Sequence, residues 1–593
     1  MKKTTTITLL FAAITIYALY IGCGQGAPDA SKSSAPKANV LVAGMPSRLP
    51  QDAMQSCTLS QAEFNSWFAS GTASENGLVQ PANSVTFGHN NNCDFYQWSW
   101  QMFAWLVSPT PGGITVMESP VFYTVSPVDS IDQRVLIPHE KGTLLKAMNH
   151  IGQEGPNKLP MIRDKQGNLF EVEKHAPNVK PMLLTKTSVH KVEMNTAGKP
   201  VFMDQAGKTI PNPKALIQTK GNTKNIVQEF KATSGKSVFL TSNGFIIDSE
   251  EGQATGDGLI AQNGSLVYYI TMVNDVYAFY LSGAKNKQLS SIEFPTTAAQ
   301  RDSICAIARA NGVTLPDSNA LAIEIKSSWI DVTNLPDPEK YVTIEAMIPT
   351  YNTSNPAMWV PTGEKKATLA LLGVHVVGST AGHPELVWST FEHQRNTPNA
   401  SYQYLDTNKA VKTVLRDSSG HWTLSSNALD PKPNVSHISV HGDTLKANSG
   451  FTISASNCSQ AFPWGTQAKA SPNAEDGSSA ASNSEIISIN NSIFGWLVGN
   501  DIRKNYMLVG ATWTSGGAAP SGKSYSTNPS DPGAAIGTSL LANSTMETYF
   551  QGPRFTCFTC HHDQSKPSVL PGQLSHVYTK LQPLPNFKII PSK

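Results

Sequence analysis

Gly258-Leu-Ile-Ala-Gln-Asn-Gly-Ser-Leu-Val-Tyr-Tyr269 sets two apolar runs on either side of Asn263-Gly264. Asn-Gly tolerates the positive φ angles that a type I′ turn requires, so the stretch predicts a β-hairpin. The same punctuation recurs upstream. Asp164-Lys-Gln-Gly167 and Asp204-Gln-Ala-Gly207 each sit between strand-like runs, among them Leu169-Phe-Glu-Val172 and Pro200-Val-Phe-Met203. Glycine takes the left-handed position of each turn. Downstream, Ala320–Ile330, Tyr341–Ile348, Lys366–Val377 and Glu385–Phe391 read as strands of one sheet. Hairpin turns outnumber any strand–helix–strand alternation. The predicted fold class is therefore α+β: a β-rich body with antiparallel sheets, a few buried helices and a short C-terminal segment.

Two helices stand out. Cys93-Asp-Phe-Tyr-Gln-Trp-Ser-Trp-Gln-Met-Phe-Ala-Trp-Leu-Val107 carries Phe95, Trp98, Met102 and Trp105 at helical spacing, with Tyr96, Trp100, Phe103 and Val107 on a second face. A helix apolar on nearly every side is buried. Its aromatics read as ordinary core rather than an electron relay. Ser484–Val498 repeats apolar residues at helical spacing, with Ser484 as N-cap. Thr466–Ser484 and Ser515–Thr538 are small and polar and read as loops.

The 593 residues are only 15% charged, with a formal net charge of +2. Nucleic acid and strongly anionic membranes both select a basic surface, so neither is the expected partner. The 43 glycines and 39 prolines suit a loop-rich exported protein rather than a helical bundle. Residues 150–250 are richer in lysine and short alternating runs, and form a β-rich insertion or subdomain within a body spanning 51–540.

Lys2 and Lys3 precede a largely apolar stretch from Ile7 to Ile21, too short for a comfortable membrane span but suited to a secretory signal over 1–22. Gly22-Cys23 resembles a bacterial lipoprotein cleavage site, which makes Cys23 the lipidated first residue; Tyr20 stands where leucine is usual. Residues 23–50 are small and polar with prolines, a flexible tether. The expected address is the periplasm or cell surface, by way of an outer-membrane lipid anchor.

The strongest chemical statement comes near the end: Arg554-Phe-Thr-Cys557-Phe-Thr-Cys560-His561-His562. Cys-x-x-Cys-His is the spacing at which two thiols reach the vinyl groups of one porphyrin while the next residue offers imidazole to the iron. Cys557, Cys560 and His561 are thus the candidate ligands of one covalent haem c. A structural disulfide, a redox dithiol and a zinc knot use similar residues. With Cys23 given to lipid, Cys57, Cys93, Cys305 and Cys458 remain, an even set that permits three pairings; the short Cys57–Cys93 loop is the easiest to close.

Leu541-Ala-Asn-Ser-Thr-Met-Glu-Thr-Tyr549, with Gln97–Phe103, Ile323–Trp329, Leu372–His375 and Trp388–Asn396, resembles large exported bacterial proteins of the cytochrome c family. The resemblance implies export and a single covalent haem in 541–593. It implies no particular reaction.

No methionine follows His561, and too little chain remains for a complete haem domain, so the haem is expected against the large body. Candidates for the sixth iron position are Met546, His576 or a histidine of the body. An open iron would need acid–base help. In an extended Phe391–Asn396, His393 and Arg395 share a face, the pairing that peroxide heterolysis uses. Strand-tying hydrogen bonds are the plainer reading of both. His375, between Val374 and Val376, reads as a satisfied core histidine. Electron handling at the envelope is the leading function, through an unknown redox partner or small molecule. A haem-dependent peroxidase or oxygenase and a non-catalytic haem-binding lipoprotein are the rivals.

Overall fold

The computed structural model describes residues 48–589 apart from 130, 132, 141–142, 150–154, 156, 158, 164–168, 175–188, 212–225, 235–236, 242–243, 249–252, 255–257, 427–437, 442, 448–450, 466–478, 523–531, 539, 553–555 and 563–566. The signal stretch, Cys23, most of the tether and the Asp164–Gly167 turn lie outside the described residues.

The chain is α+β, built on one antiparallel sheet. Its principal strands are β1 (Phe122–Val125), β2 (Leu136–Pro138), β3 (Val267–Asn274), β4 (Ile323–Asp331), β5 (Thr343–Asn352), β6 (Met358–Thr380), β7 (His383–His393), β8 (Tyr506–Thr514) and β9 (Ala535–Gly537). They lie in the order β2-β1-β3-β4-β6-β7-β8-β9, and β5 pairs with the first half of β6. The four strands expected over Ala320–Ile330, Tyr341–Ile348, Lys366–Val377 and Glu385–Phe391 are β4 to β7. The period-2 pattern works because alternate side chains reach opposite faces. Ile325, Val374, Val376, Val387 and Phe391 bury on one face; Trp388 and Leu386 bury on the other.

The first face is covered by helices α1 (Asn92–Leu106) and α4 (Ser479–Trp496); α2 (Asp275–Lys285) and α3 (Ala298–Ala310) lie in the apolar cluster on the second. Helix α1 buries ten of its fifteen residues, so its aromatics are core as expected. Phe103 stacks on Phe391 at 4.3 Å, and Phe95 on Trp513 at 3.9 Å. Each such ring stabilises the fold by on the order of 3 kcal/mol relative to alanine. Asn91 caps α1 through its side chain, and a Cys57–Cys93 disulfide ties the first turn to the preceding segment. Closing that loop contributes about 3–4 kcal/mol in the chain-entropy picture.

Three local expectations need correction. The chain is already helical at Ser479, so Ser484 is not the N-cap of α4: Ser484 Oγ accepts Leu405 N at 2.7 Å inside the packed helix. Small residues allow that close approach, which composition alone reads as a loop. Asn263 does not take positive φ; only Gly264 does, at 88°. Gly264 N donates to Ala261 O, giving a turn with a left-handed glycine rather than type I′, because Asn263 Nδ2 is committed to the Asp331 and Thr333 carbonyls. The tether ends earlier than expected: Arg48 is packed over Trp422 and bonded to Gln394 O and Asp417.

Residues 150–250 and the strand just after them form a separate six-stranded sheet of Met161–Arg163, Leu169–Lys174, Ile226–Lys231, Ser237–Thr241, Ile246–Asp248 and Gln253–Ala254. Val172, Val227, Phe239 and Ile247 give it a core of its own. The Asp204–Gly207 turn forms as expected, with Gly207 at φ 76°.

Candidate functional site

The second face of the main sheet changes character near its middle. Register places Lys326 beside His375 and His375 beside Thr390. Glu324, Lys326 and His375 are only half-buried, although their strand neighbours Ile325, Val374 and Val376 are fully buried. An antiparallel sheet can leave part of one face to water, and the change from buried to half-buried side chains marks such an opening in the covering layer here. Glu547, Cys557, Cys560, His561 and His576 are half-buried as well.

A buried polar network brings the chain to this opening. Glu392, 4% exposed, accepts from Ser544 N at 2.7 Å, from Ser544 Oγ, and from Gln460 Nε2 at 3.0 Å. Burial pushes its carboxyl pKa up, against the pull of the Ser544 bonds. Asn543 Nδ2 donates to Thr390 Oγ1 at 2.8 Å. A Cβ at Gly373 would fall 2.7 Å from that nitrogen, so only glycine permits the approach. Tyr269 OH donates to Thr545 O at 2.9 Å. Glu547 accepts from His375 Nε2 at 2.9 and 3.0 Å and from Asn543 N at 2.8 Å. Burial raises the Glu547 pKa, but His375, the Asn543 N–H bond and Lys326 together outweigh it and hold the carboxyl below its ordinary value.

The segment then enters one helical turn, Cys557–Cys560, preceded by Thr556. Positions three apart share a helix face, so both thiols lie on the same side. They are not joined to each other. Phe558 is fully buried and anchors the turn in the cluster of Leu574, Tyr578 and Trp388. The His561 ring lies 4.3 Å from Trp388. His561 Nδ1 is 2.6 Å from the Leu574 carbonyl, which can only accept, so Nδ1 carries the proton and Nε2 the lone pair of the neutral ring. Donating Nδ1–H to a backbone carbonyl is how proteins orient an imidazole toward a metal. Burial, helped by Glu547, pushes the Cys557 thiol pKa up. A nucleophilic redox dithiol requires the opposite shift. Two unjoined thiols on one face and an oriented Nε2 fit a covalent haem.

Of the other candidates, Met546 falls elsewhere and His576 lies at the turn. Met546 is buried among Tyr269, Leu372 and Cys458, in a different apolar cluster from Phe558. His576 stacks on His561, with centroids 4.1 Å apart and planes 17° apart, and its Nε2 lies 3.2 Å from Cys560 O. Stacked rings do not oppose each other across an iron. His375 is satisfied, as expected, but by Glu547 at the edge of the opening rather than by apolar core. Cys458 is a buried thiol and Cys305 a half-buried one; neither forms a disulfide.

His393 and Arg395 are not brought to the Cys557–His561 turn. His393 stacks on Tyr341 at 3.8 Å with Nε2 3.2 Å from Lys340 O, and Nδ1 accepts Arg395 N at 3.2 Å. Arg395 Nη1 pairs with Asp337 at 2.7 Å. These are the contacts of a tie between chain segments. Burial pushes the His393 pKa down to about 3. The folded value is depressed, so the unfolded chain binds this proton first. Its contribution is complete above the unfolded value of 6.5 and is lost as pH falls toward 3. Replacing His393 by glutamine is expected to flatten the acid limb of a stability–pH curve measured by urea unfolding; an unaltered slope below pH 6.5 contradicts this account.

Sequence reasoning missed Leu574; Trp388 and Glu392 stood inside the Trp388–Asn396 block without a role assigned to them. Glu547 stood inside the Leu541–Tyr549 block but carried no spacing signal. No family model, curated protein or solved structure matches the chain.

Proposed function

We propose that the chain is an exported mono-haem c-type cytochrome-like protein that handles electrons at the cell envelope, held there by lipid on Cys23. The observation that carries the proposal is the Cys557–His561 turn, which presents two thiols and an Nδ1-bonded imidazole beside an opening in the sheet cover. Cys557 and Cys560 would hold the porphyrin by thioether bonds and His561 Nε2 the iron. When bound, haem supplies a one-electron iron couple. Trp388 and Leu574 fix the His561 plane, Phe558 anchors the turn, and the 543–547 network holds the approaching strand.

One observation favours a second reading, a haem-dependent peroxidase or oxygenase. His375 and Glu547 form a half-exposed carboxylate–histidine pair near Cys557, a unit that can hold or move a proton. It takes the acid–base place first considered for His393.

Mature protein from a host with working cytochrome maturation is expected to be coloured and heavier by one covalent haem. Low-spin iron that ignores carbon monoxide when reduced supports electron transfer. High-spin iron that reacts rapidly with hydrogen peroxide supports the enzyme. A colourless product without the mass gain removes both.

A further inference from the structure

A second group of chemistry-bearing side chains stands at the turn between β6 and β7 and does not depend on the haem reading. His383 opens β7 and is 2% exposed. Its Nδ1 lies 2.7 Å from Glu385 Oε1, which also accepts Thr514 N at 3.1 Å. Glu385 is fully buried, and its Oε2 has no hydrogen-bond partner. The ring of His89, from the exposed loop before α1, meets the His383 ring edge-to-face at 4.7 Å.

His89 Nδ1 lies 3.3 Å from the Phe87 carbonyl. A carbonyl and a carboxylate can only accept, so both rings place their proton on Nδ1 and a lone pair on Nε2. Among the described residues no hydrogen bond to either ε-nitrogen is formed. Gly382, at φ 75°, makes the sharp turn between the strands, and a Cβ there would lie 3.8 Å from His89 Nε2. The ε-edge of His89 therefore overhangs the residue preceding His383.

We propose that His89 and His383 bind a divalent transition ion, of the copper or zinc class, through their ε-nitrogens. Imidazole nitrogen suits those ions. Glu385 behind His383 forms the carboxylate–histidine–metal arrangement that sets tautomer and ligand basicity. The carboxylate is buried with one oxygen unsatisfied, and a cation held by its histidine offsets that charge. Among the described residues no three His, Cys, Asp or Glu side chains are gathered as a complete cage. The two histidines thus supply two positions and water the rest, which describes an exchangeable site.

The test uses the full chain with its disulfide intact. Cu²⁺ is the spectroscopic probe, and Zn²⁺ the calorimetric one. Wild type is expected to take one Cu²⁺ per chain at this site, with hyperfine splitting from two nitrogens in its electron paramagnetic resonance spectrum. His89→Ala, on an exposed loop, should fold normally, lose one nitrogen and bind at least about tenfold more weakly. Glu385→Gln, which keeps the ring contact and alters the charge, should weaken binding by about tenfold or more. Unchanged affinity in His89→Ala, or a one-nitrogen spectrum in wild type, overturns the proposal and leaves the cluster a structural tie. Either result stands whether or not Cys557 and Cys560 carry haem.

Discussion

If the chain carries haem c as proposed, the double substitution of Cys557 and Cys560 by alanine is expected to abolish covalent haem while leaving the body folded. Thioether bonds to these two thiols are the only covalent link the motif offers. His561 alone leaves haem exchangeable. The turn itself is held by Phe558, Leu574 and Tyr578 and by the Thr559 hydroxyl, which accepts Thr556 N at 2.9 Å, none of which the substitution removes. Intact mass after denaturation reads the outcome directly. Haem that survives denaturation in the double variant would place attachment elsewhere and end the cytochrome reading.

Removing the Glu392 carboxylate is the most damaging single change expected outside the Cys557–His561 turn. Glu392→Leu keeps bulk but leaves Ser544 N, Ser544 Oγ and Gln460 Nε2 without their acceptor in a dry interior. Each stranded donor costs about 1–3 kcal/mol, and the losses overlap, so a destabilisation of about 3–5 kcal/mol is expected. Urea unfolding of wild type and variant gives the number. A loss under about 1 kcal/mol would show that the network is not what fixes the approach to Cys557. Since 543–547 leads into the turn, the variant should also lower haem occupancy.

The body of the fold was legible where each residue answers to its immediate neighbours. Alternation in Ile323–Lys326 reports two unlike faces directly, and the crowding of aromatics over Cys93–Val107 reports a helix with no solvent side. Legibility failed where small polar residues do the packing. Ser479–Ser484 reads as a loop because close approach, not apolar area, seats it against Leu405. Asn543–Glu547 is silent for a related reason: its side chains satisfy partners on distant strands, and a polar run bound for the interior has the composition of one bound for water.

The Cys-x-x-Cys-His spacing is local: Cys557, Cys560 and His561 acquire their relative placement from one helical turn, so the motif behind the haem proposal is readable from the chain alone. The β-rich antiparallel body was equally determined by short-range alternation and turns. Tertiary structure alone decided what surrounds the turn: Trp388 against His561, and Glu547 against His375 across 172 positions. Those meetings depend on the order in which strands lie side by side. Alternation specifies which face a residue takes but not which strand lies next to it.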